Sequence, residues 1–242
     1  MDITAVLADQ IRATTTAAKS RWYCENPDCD GEPHDGWTWC THTGDQEHEP
    51  ACRHARPDQR PPDGDWLVWA FIAGRGAGKT RSAAEWVTDL VKRRGYRRGA
   101  LVGRTPADVR DVMVEGESGL IAVGEAHGFR PTFQPTKRRL VWPNGAVAYS
   151  YSAEVGDQLR GPQHDWAWVD EPAAWTEAAK GDQLGTAWNN LMLGLRLGRH
   201  PRVAFTTTPK RVALVRHVLD RATTVAAIKD SRDQLRAMWA IA

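Results

Sequence analysis

The sequence predicts an α/β fold. It is a P-loop NTPase architecture, with a mostly parallel sheet flanked by helices and a small Cys/His-rich region ahead of it. Three observations predict this. An apolar run, Trp66 to Ile72, leads into the glycine-rich stretch Ala73-Gly-Arg-Gly-Ala-Gly-Lys-Thr80 and then an amphipathic segment. A second apolar run, Trp166 to Val169, ends in Asp170-Glu171. Around them strand-like and helix-like segments alternate, as in a parallel sheet covered on both faces.

Residues 5–20 suit a short helix. Residues 22–63 are dominated by Cys, His, Trp, Pro, Asp and Gly with little periodicity, and Arg60-Pro-Pro-Asp-Gly64 breaks the chain, closing a first region over 1–63. Leu67–Ile72 reads as the first strand. Lys79–Arg94 reads as a helix, with Ala83, Val87, Leu90 and Val91 on one face. Ala100–Gly103 is a short buried strand, and Pro106–Met113 begins another helix. Arg138–Trp142 and Ala146–Ser152 flank Pro143-Asn144-Gly145, and Asn-Gly between strand-like runs predicts a hairpin. Trp166–Val169 is a strand, Leu184–Leu195 a helix, Val203–Thr206 a strand and Arg211–Leu219 a last helix. The P-loop domain thus spans 64–220, and 221–242 reads as a C-terminal tail.

A chain of 242 residues holds one sizeable domain plus a small appendage. The net charge of +2 does not announce a nucleic-acid binder. The basic residues nevertheless cluster, at Lys92-Arg93-Arg94, Arg97-Arg98, Lys137-Arg138-Arg139 and from Arg196 to Arg202. Such runs read as solvated faces or, more sharply, as a DNA-tracking surface. No apolar run approaches the ~20 residues of a membrane span. The N-terminus, with Asp2 and no long apolar core, is not a signal peptide, so a cytoplasmic protein with no membrane partner is expected.

The glycine-rich stretch carries the clearest chemistry. Backbone N–H groups of Gly74, Arg75, Gly76, Ala77 and Gly78, with the dipole of the following helix, would cradle phosphates. Lys79 would reach the β/γ-phosphates and the Thr80 hydroxyl would hold Mg²⁺. Ala73 stands where the usual pattern begins with glycine. Asp170, at the carboxyl end of a parallel strand, falls on the same side of the sheet and can share the Mg²⁺ with Thr80. Glu171 can polarise the attacking water as general base. Thr206, Thr207 and Thr208 either sense the γ-phosphate or merely finish a β-branched strand before Pro209. Arg160, on a loop ahead of the acidic strand, either stabilises γ-phosphate charge, in its own subunit or a neighbour's, or is an ordinary surface arginine.

All four cysteines, Cys24, Cys29, Cys40 and Cys52, lie in the first region with His34, His42, His48 and His54. In a reducing compartment this favours metal or free thiols over disulfides. Thiolate and imidazole ligands suit tetrahedral Zn²⁺. The spacing does not form paired Cys-x₂-Cys knuckles, so a loop-rich lid with free thiols stays equally open. Trp22, Trp37 and Trp39 can pack around either arrangement.

The combination resembles the large terminase subunit of tailed bacteriophages, in its N-terminal ATPase half. The likeness is carried by Gln59-Arg60-Pro61-Pro62 with Asp65-Trp66, by Ala73 through Arg81, by Leu159-Arg160-Gly161, by Val169-Asp170-Glu171-Pro172 and by Thr206 through Lys210, across residues 55–220. The resemblance implies an ATPase motor of viral DNA packaging. Such a motor hydrolyses ATP with Mg²⁺, drives double-stranded DNA into a procapsid, assembles as a homo-oligomeric ring on the portal protein, and works with a small terminase subunit in the cytoplasm of the infected bacterial host. On this likeness Lys79 and Thr80 match the phosphate and metal positions. Asp170 and Glu171 match the metal and catalytic acids, and Thr206 to Thr208 the coupling motif. Arg75 matches the arginine of the family's variant loop, with Arg81 just after it, and Gln59 lies where an adenine contact is often placed. Family members continue into an RNase H-like nuclease. Residues 221–242 do not look like its beginning, so nuclease activity is not expected of this chain. The alternatives are a truncated non-catalytic or regulatory terminase fragment, or another DNA-dependent, helicase-like ATPase.

Overall fold

Val68–Ile72 (β1) is apolar and buried at every position, as a strand inside a two-faced parallel sheet must be. The computed structural model describes residues 55, 59–62, 64–175 and 185–222, and the backbone of 224–229 and 235–241. The sheet and its helices belong to the unit Asp58–Ala242. The helix expected over 5–20 and the zinc or free-thiol cluster of Cys24, Cys29, Cys40 and Cys52 lie outside the described residues.

After β1 and the glycine turn comes α1, Lys79–Arg93. Then follow β2 (Arg98–Gly103), a single α-helical turn α2 (Pro106–Asp108) that widens into π-helical turns over Val109–Val114, and α3 (Leu120–Ala126). Short strands β3 (Thr132–Gln134) and β4 (Arg139–Val141) lead to β5 (Val147–Ser152) and β6 (Trp166–Asp170). The chain continues through α4 (Thr186–Gly194), β7 (Arg202–Thr207) and α5 (Ala213–Asp220), then β8 (Thr224–Lys229) and β9 (Leu235–Ile241).

The strand order is β3-β4-β5-β2-β6-β7-β1-β9-β8. The central run β5-β2-β6-β7-β1 is parallel throughout, which is the expected α/β core. The predicted hairpin is present, with β4 and β5 antiparallel across Pro143-Asn144-Gly145 and Gly145 at φ +82°. At the far edge β9 lies antiparallel to β1, Val68 opposite Ile241, and β8 pairs with β9. The segment read as a tail therefore carries two strands, which occupy backbone groups that β1 would otherwise leave unpaired.

Alternation along β1 sends Trp69 and Phe71 to one face and Val68, Ala70 and Ile72 to the other. The first face packs under α1 and α3, through Ala83, Val87, Leu90, Leu120 and Val123. The second packs under α4 and α5, through Trp188, Leu191, Leu214 and Val218. Tryptophans fill the first layer edge to face, with Trp69 and Trp86 centroids 6.3 Å apart and Trp142 and Trp166 6.1 Å apart. Room for Trp166 comes from Gly99, where a Cβ would stand 2.0 Å from the indole ring. Among the described residues no helix is long and apolar enough to cross a membrane.

Candidate nucleotide site

The turn after β1 is shaped by two glycines in left-handed backbone, Gly76 at φ +74° and Gly78 at φ +85°, a region that costs other residues a steric penalty. Gly78 stands at the N-terminal end of α1, so the unpaired N–H groups of that helix open into the same space. Ala73 N–H donates to Thr207 O at 3.0 Å, tying the start of the turn to the end of β7. Lys79 is nearly buried and donates to the carbonyls of Ala73 at 3.0 Å and Gly74 at 3.1 Å. Its ammonium also lies 3.5 Å from Glu171 Oε1.

The carboxyl ends of β6 and β7 supply the acids and their supports. Thr206 on β7 sits opposite Asp170 on β6 in the parallel ladder. Its hydroxyl is 2.7 Å from Asp170 Oδ1 and accepts the Trp168 indole hydrogen at 2.8 Å. Burial pushes the Asp170 carboxyl up to about 6, Glu171 and Asp108 add to the rise, and Thr206 and Lys79 oppose it. Glu171 Oε2 accepts from Thr208 N–H at 3.1 Å and from the Thr208 hydroxyl at 2.9 Å, with the Thr207 hydroxyl at 3.5 Å. Glu171 holds left-handed backbone, φ +46°, a strained conformation for a residue with a side chain.

The glycine turn and the two acids line one open cavity of about 620 Å³, with Arg75, Lys79, Thr80 and Arg81 on one side and Asp170 and Glu171 on another. A third wall, which the sequence did not single out, comes from the segment after β2. It contributes Arg104, Asp108, Asp111, Glu117 and Ser118. Thr105 and Asp108 cap the start of α2 reciprocally, each side chain accepting the other's backbone N–H at 3.1 Å. Arg104 Nε lies 3.5 Å from Asp108 Oδ2. A strand-end rule would have drawn attention to Arg104, since it follows a parallel strand at its carboxyl end. The rest of that wall has no local signal.

Six expected residues do not line the cavity: Gln59, Gly74, Arg160 and Thr206 to Thr208, the threonines meeting it only through Asp170 and Glu171. Gln59 is buried behind the turn, donating Nε2–H to Ala77 O at 3.0 Å, with Gly78 packed against it. Arg160 is exposed, just past the helical turns Ala153–Leu159, and is not a lining residue. Among the described residues no group of three or more His, Cys, Asp or Glu side chains is set to hold a metal by itself. The donor set does fit Mg²⁺, which takes hard oxygens and commonly only one or two carboxylates, the rest being water and phosphate. Thr80 and Asp170 would hold it, and a carboxylate stripped of water beside Glu171 gains from a nearby divalent charge.

A phosphate-type turn, a buried lysine and an acidic strand end, brought to one cavity at the carboxyl edge of a parallel sheet, define an α/β domain of the P-loop class. The sequence matches the family model described as terminase large subunit, T4likevirus-type, N-terminal, over residues 70–240, and the chain belongs to that family. The HK97 bacteriophage large terminase is similar in structure, with a TM-score of 0.50 and 17% identity over 67% of this chain and 33% of that one. A large terminase from a thermophilic bacteriophage, in complex with ATP-gamma-S, gives a TM-score of 0.47 and 16% identity over 64% of this chain and 34% of that one. The N-terminal domain of the DNA packaging ATPase from bacteriophage phi29 gives 0.42 and 15% over 59% and 73%. The chain thus spans about a third of the length of the full large terminases it matches. A comparison with curated protein sequences finds no match.

Proposed function

We propose that this chain is the ATPase portion of a viral DNA-packaging motor, hydrolysing ATP to drive double-stranded DNA into a procapsid. The observation that carries the reading is the convergence of Lys79, Thr80, Asp170 and Glu171 on one cavity. The turn's N–H groups and Lys79 bind the phosphates, Lys79 leaving its own carbonyl partners for the incoming charge. Mg²⁺, held by Thr80 and Asp170, would supply neutralising charge at the β- and γ-phosphates. Glu171 orients the attacking water and takes its proton on the carboxylate that Thr208 and Lys79 hold in place. Arg75 adds positive charge from the cavity wall. Thr206 to Thr208 touch both acids, so displacement of the acids during turnover is passed directly to β7. Arg160, exposed and off the wall, serves a neighbouring subunit's site in an assembled ring. Gln59 supports the phosphate turn from behind.

In this reading the ring sits on a portal protein with a small terminase subunit as partner, in the cytoplasm of the infected host. The test is steady-state ATP hydrolysis with and without double-stranded DNA, for the wild type and Glu171→Gln. DNA-stimulated turnover that Glu171→Gln abolishes, without strand separation, supports packaging. Strand separation would instead favour a helicase, and absence of turnover in every assembly state would sink the enzymatic reading.

A further inference from the structure

The cavity residue Arg81 is held by a pair of groups that lie outside the cavity. Glu85, one turn further along α1, is 3% exposed, and a carboxylate that deep survives only if both oxygens are satisfied. Arg81 donates to Glu85 Oε1 from both Nε, at 2.7 Å, and Nη2, at 2.6 Å, two charge-assisted bonds converging on one oxygen that hold the guanidinium in place. Glu85 Oε2 takes His127 Nε2 at 2.5 Å. His127 is itself 7% exposed and ends α3, and its carbonyl accepts Lys92 Nζ at 2.7 Å. Two side chains, Glu85 from α1 and His127 at the end of α3, therefore anchor one arginine at the cavity.

We propose that Glu85 and His127 are positioning residues that fix Arg81 as a contact for the nucleotide's phosphates. Glu85 neutralises one edge of the guanidinium and locks its rotamer, and His127 locks Glu85. A freely rotating arginine would lose side-chain entropy on every binding event, and this one loses it on folding. The same link ties the end of α3 to α1, and the chain leading into α3 carries Glu117 and Ser118 on the cavity wall. The proposal rests on the nucleotide reading of the cavity and names residues that reading does not use.

The test is titration of a fluorescent ATP analogue with Mg²⁺ into the full chain, alongside steady-state KM and kcat and a thermal melt. Glu85→Leu and Arg81→Ala should each weaken binding about tenfold and raise KM alike, with kcat little changed, and the double variant should be no weaker than either single. Glu85→Gln, which keeps an acceptor for Arg81, should recover part of the loss. Should Glu85→Leu not fold, His127→Ala against His127→Gln reads the same link, since glutamine restores a donor to Glu85. Losses that multiply in the double variant, or folded Glu85 and His127 variants that bind as the wild type does, would overturn the positioning role alone. Failure of the wild type to bind the analogue would overturn the nucleotide reading and this role together.

Discussion

The Thr206 hydroxyl lies 2.7 Å from Asp170 Oδ1 and takes the Trp168 indole hydrogen at 2.8 Å, so one fully buried side chain joins a core tryptophan to the carboxylate at the cavity mouth. Thr206→Val keeps the shape and removes both of these bonds, together with the hydroxyl's contact to Val169 O at 3.1 Å. Two buried polar groups are then left without a partner, and stability should fall by about 2–3 kcal/mol, while Thr206→Ser should lose far less. Urea unfolding of the two variants checks this, and Thr206→Val should also lower hydrolysis because Asp170 loses its orienting donor.

The phosphate turn separates strain from collision. A Cβ at Gly76 meets open space, whereas one at Gly78 would stand 2.4 Å from Gln59 Nε2. Gly76→Ala should therefore cost about 1 kcal/mol, from its positive φ alone. Gly78→Ala should cost more and weaken nucleotide binding. Adding Gln59→Ala to Gly78→Ala should relieve the collision but not the strain. Melting temperatures of the single and double variants measure the coupling.

His164 sets a pH dependence. It is fully buried, and neither ring nitrogen has a hydrogen-bond partner among the described residues. Its ring packs edge-on to Tyr151 at 5.6 Å. Burial, with a smaller push from Arg98, drives its pKa down to about 4. The unfolded chain then binds a proton near pH 6.5 that the folded chain refuses, so this contribution is lost as pH falls. Between pH 7 and 5 the loss should be about 2 kcal/mol. The wild type should lose that much more stability over the range than His164→Leu, and equal slopes in denaturant midpoint against pH would contradict it.

Arg104 and Asp108 form an exposed pair at 3.5 Å on the cavity wall. Exposed pairs contribute little to folding, so Arg104→Ala should leave the melting temperature within about 1–2 °C. On the proposed reading, a several-fold rise in the dissociation constant for ATP is expected, measured by titration, because a cation on the cavity wall is lost.

How much was legible follows from how local each signal is. The turn from Gly74 to Thr80 and the strand ending in Asp170-Glu171 are continuous in sequence, and both are found in the positions their patterns imply. The third wall was not legible. The helix expected from Pro106 is present, but that its polar side chains face the cavity depends on π-helical turns over Val109–Val114, which the sequence does not announce. Arg81 and Glu85 are one helical turn apart and their pairing is readable. Glu85's burial and its bond to His127 depend on a contact far along the chain and are not. Strands β8 and β9 were missed because an edge strand is called into being by the β1 edge beside it more than by its own composition.

The left-handed backbone at Glu171 sets the domain against itself. Glycine there would relax the torsion and should stabilise the fold by about 1 kcal/mol while deleting the carboxylate proposed as the general base. Any screen that rewards heat resistance alone will therefore drift toward inert proteins at this position, and thermotolerant variants should be sorted by turnover before their melting curves are compared.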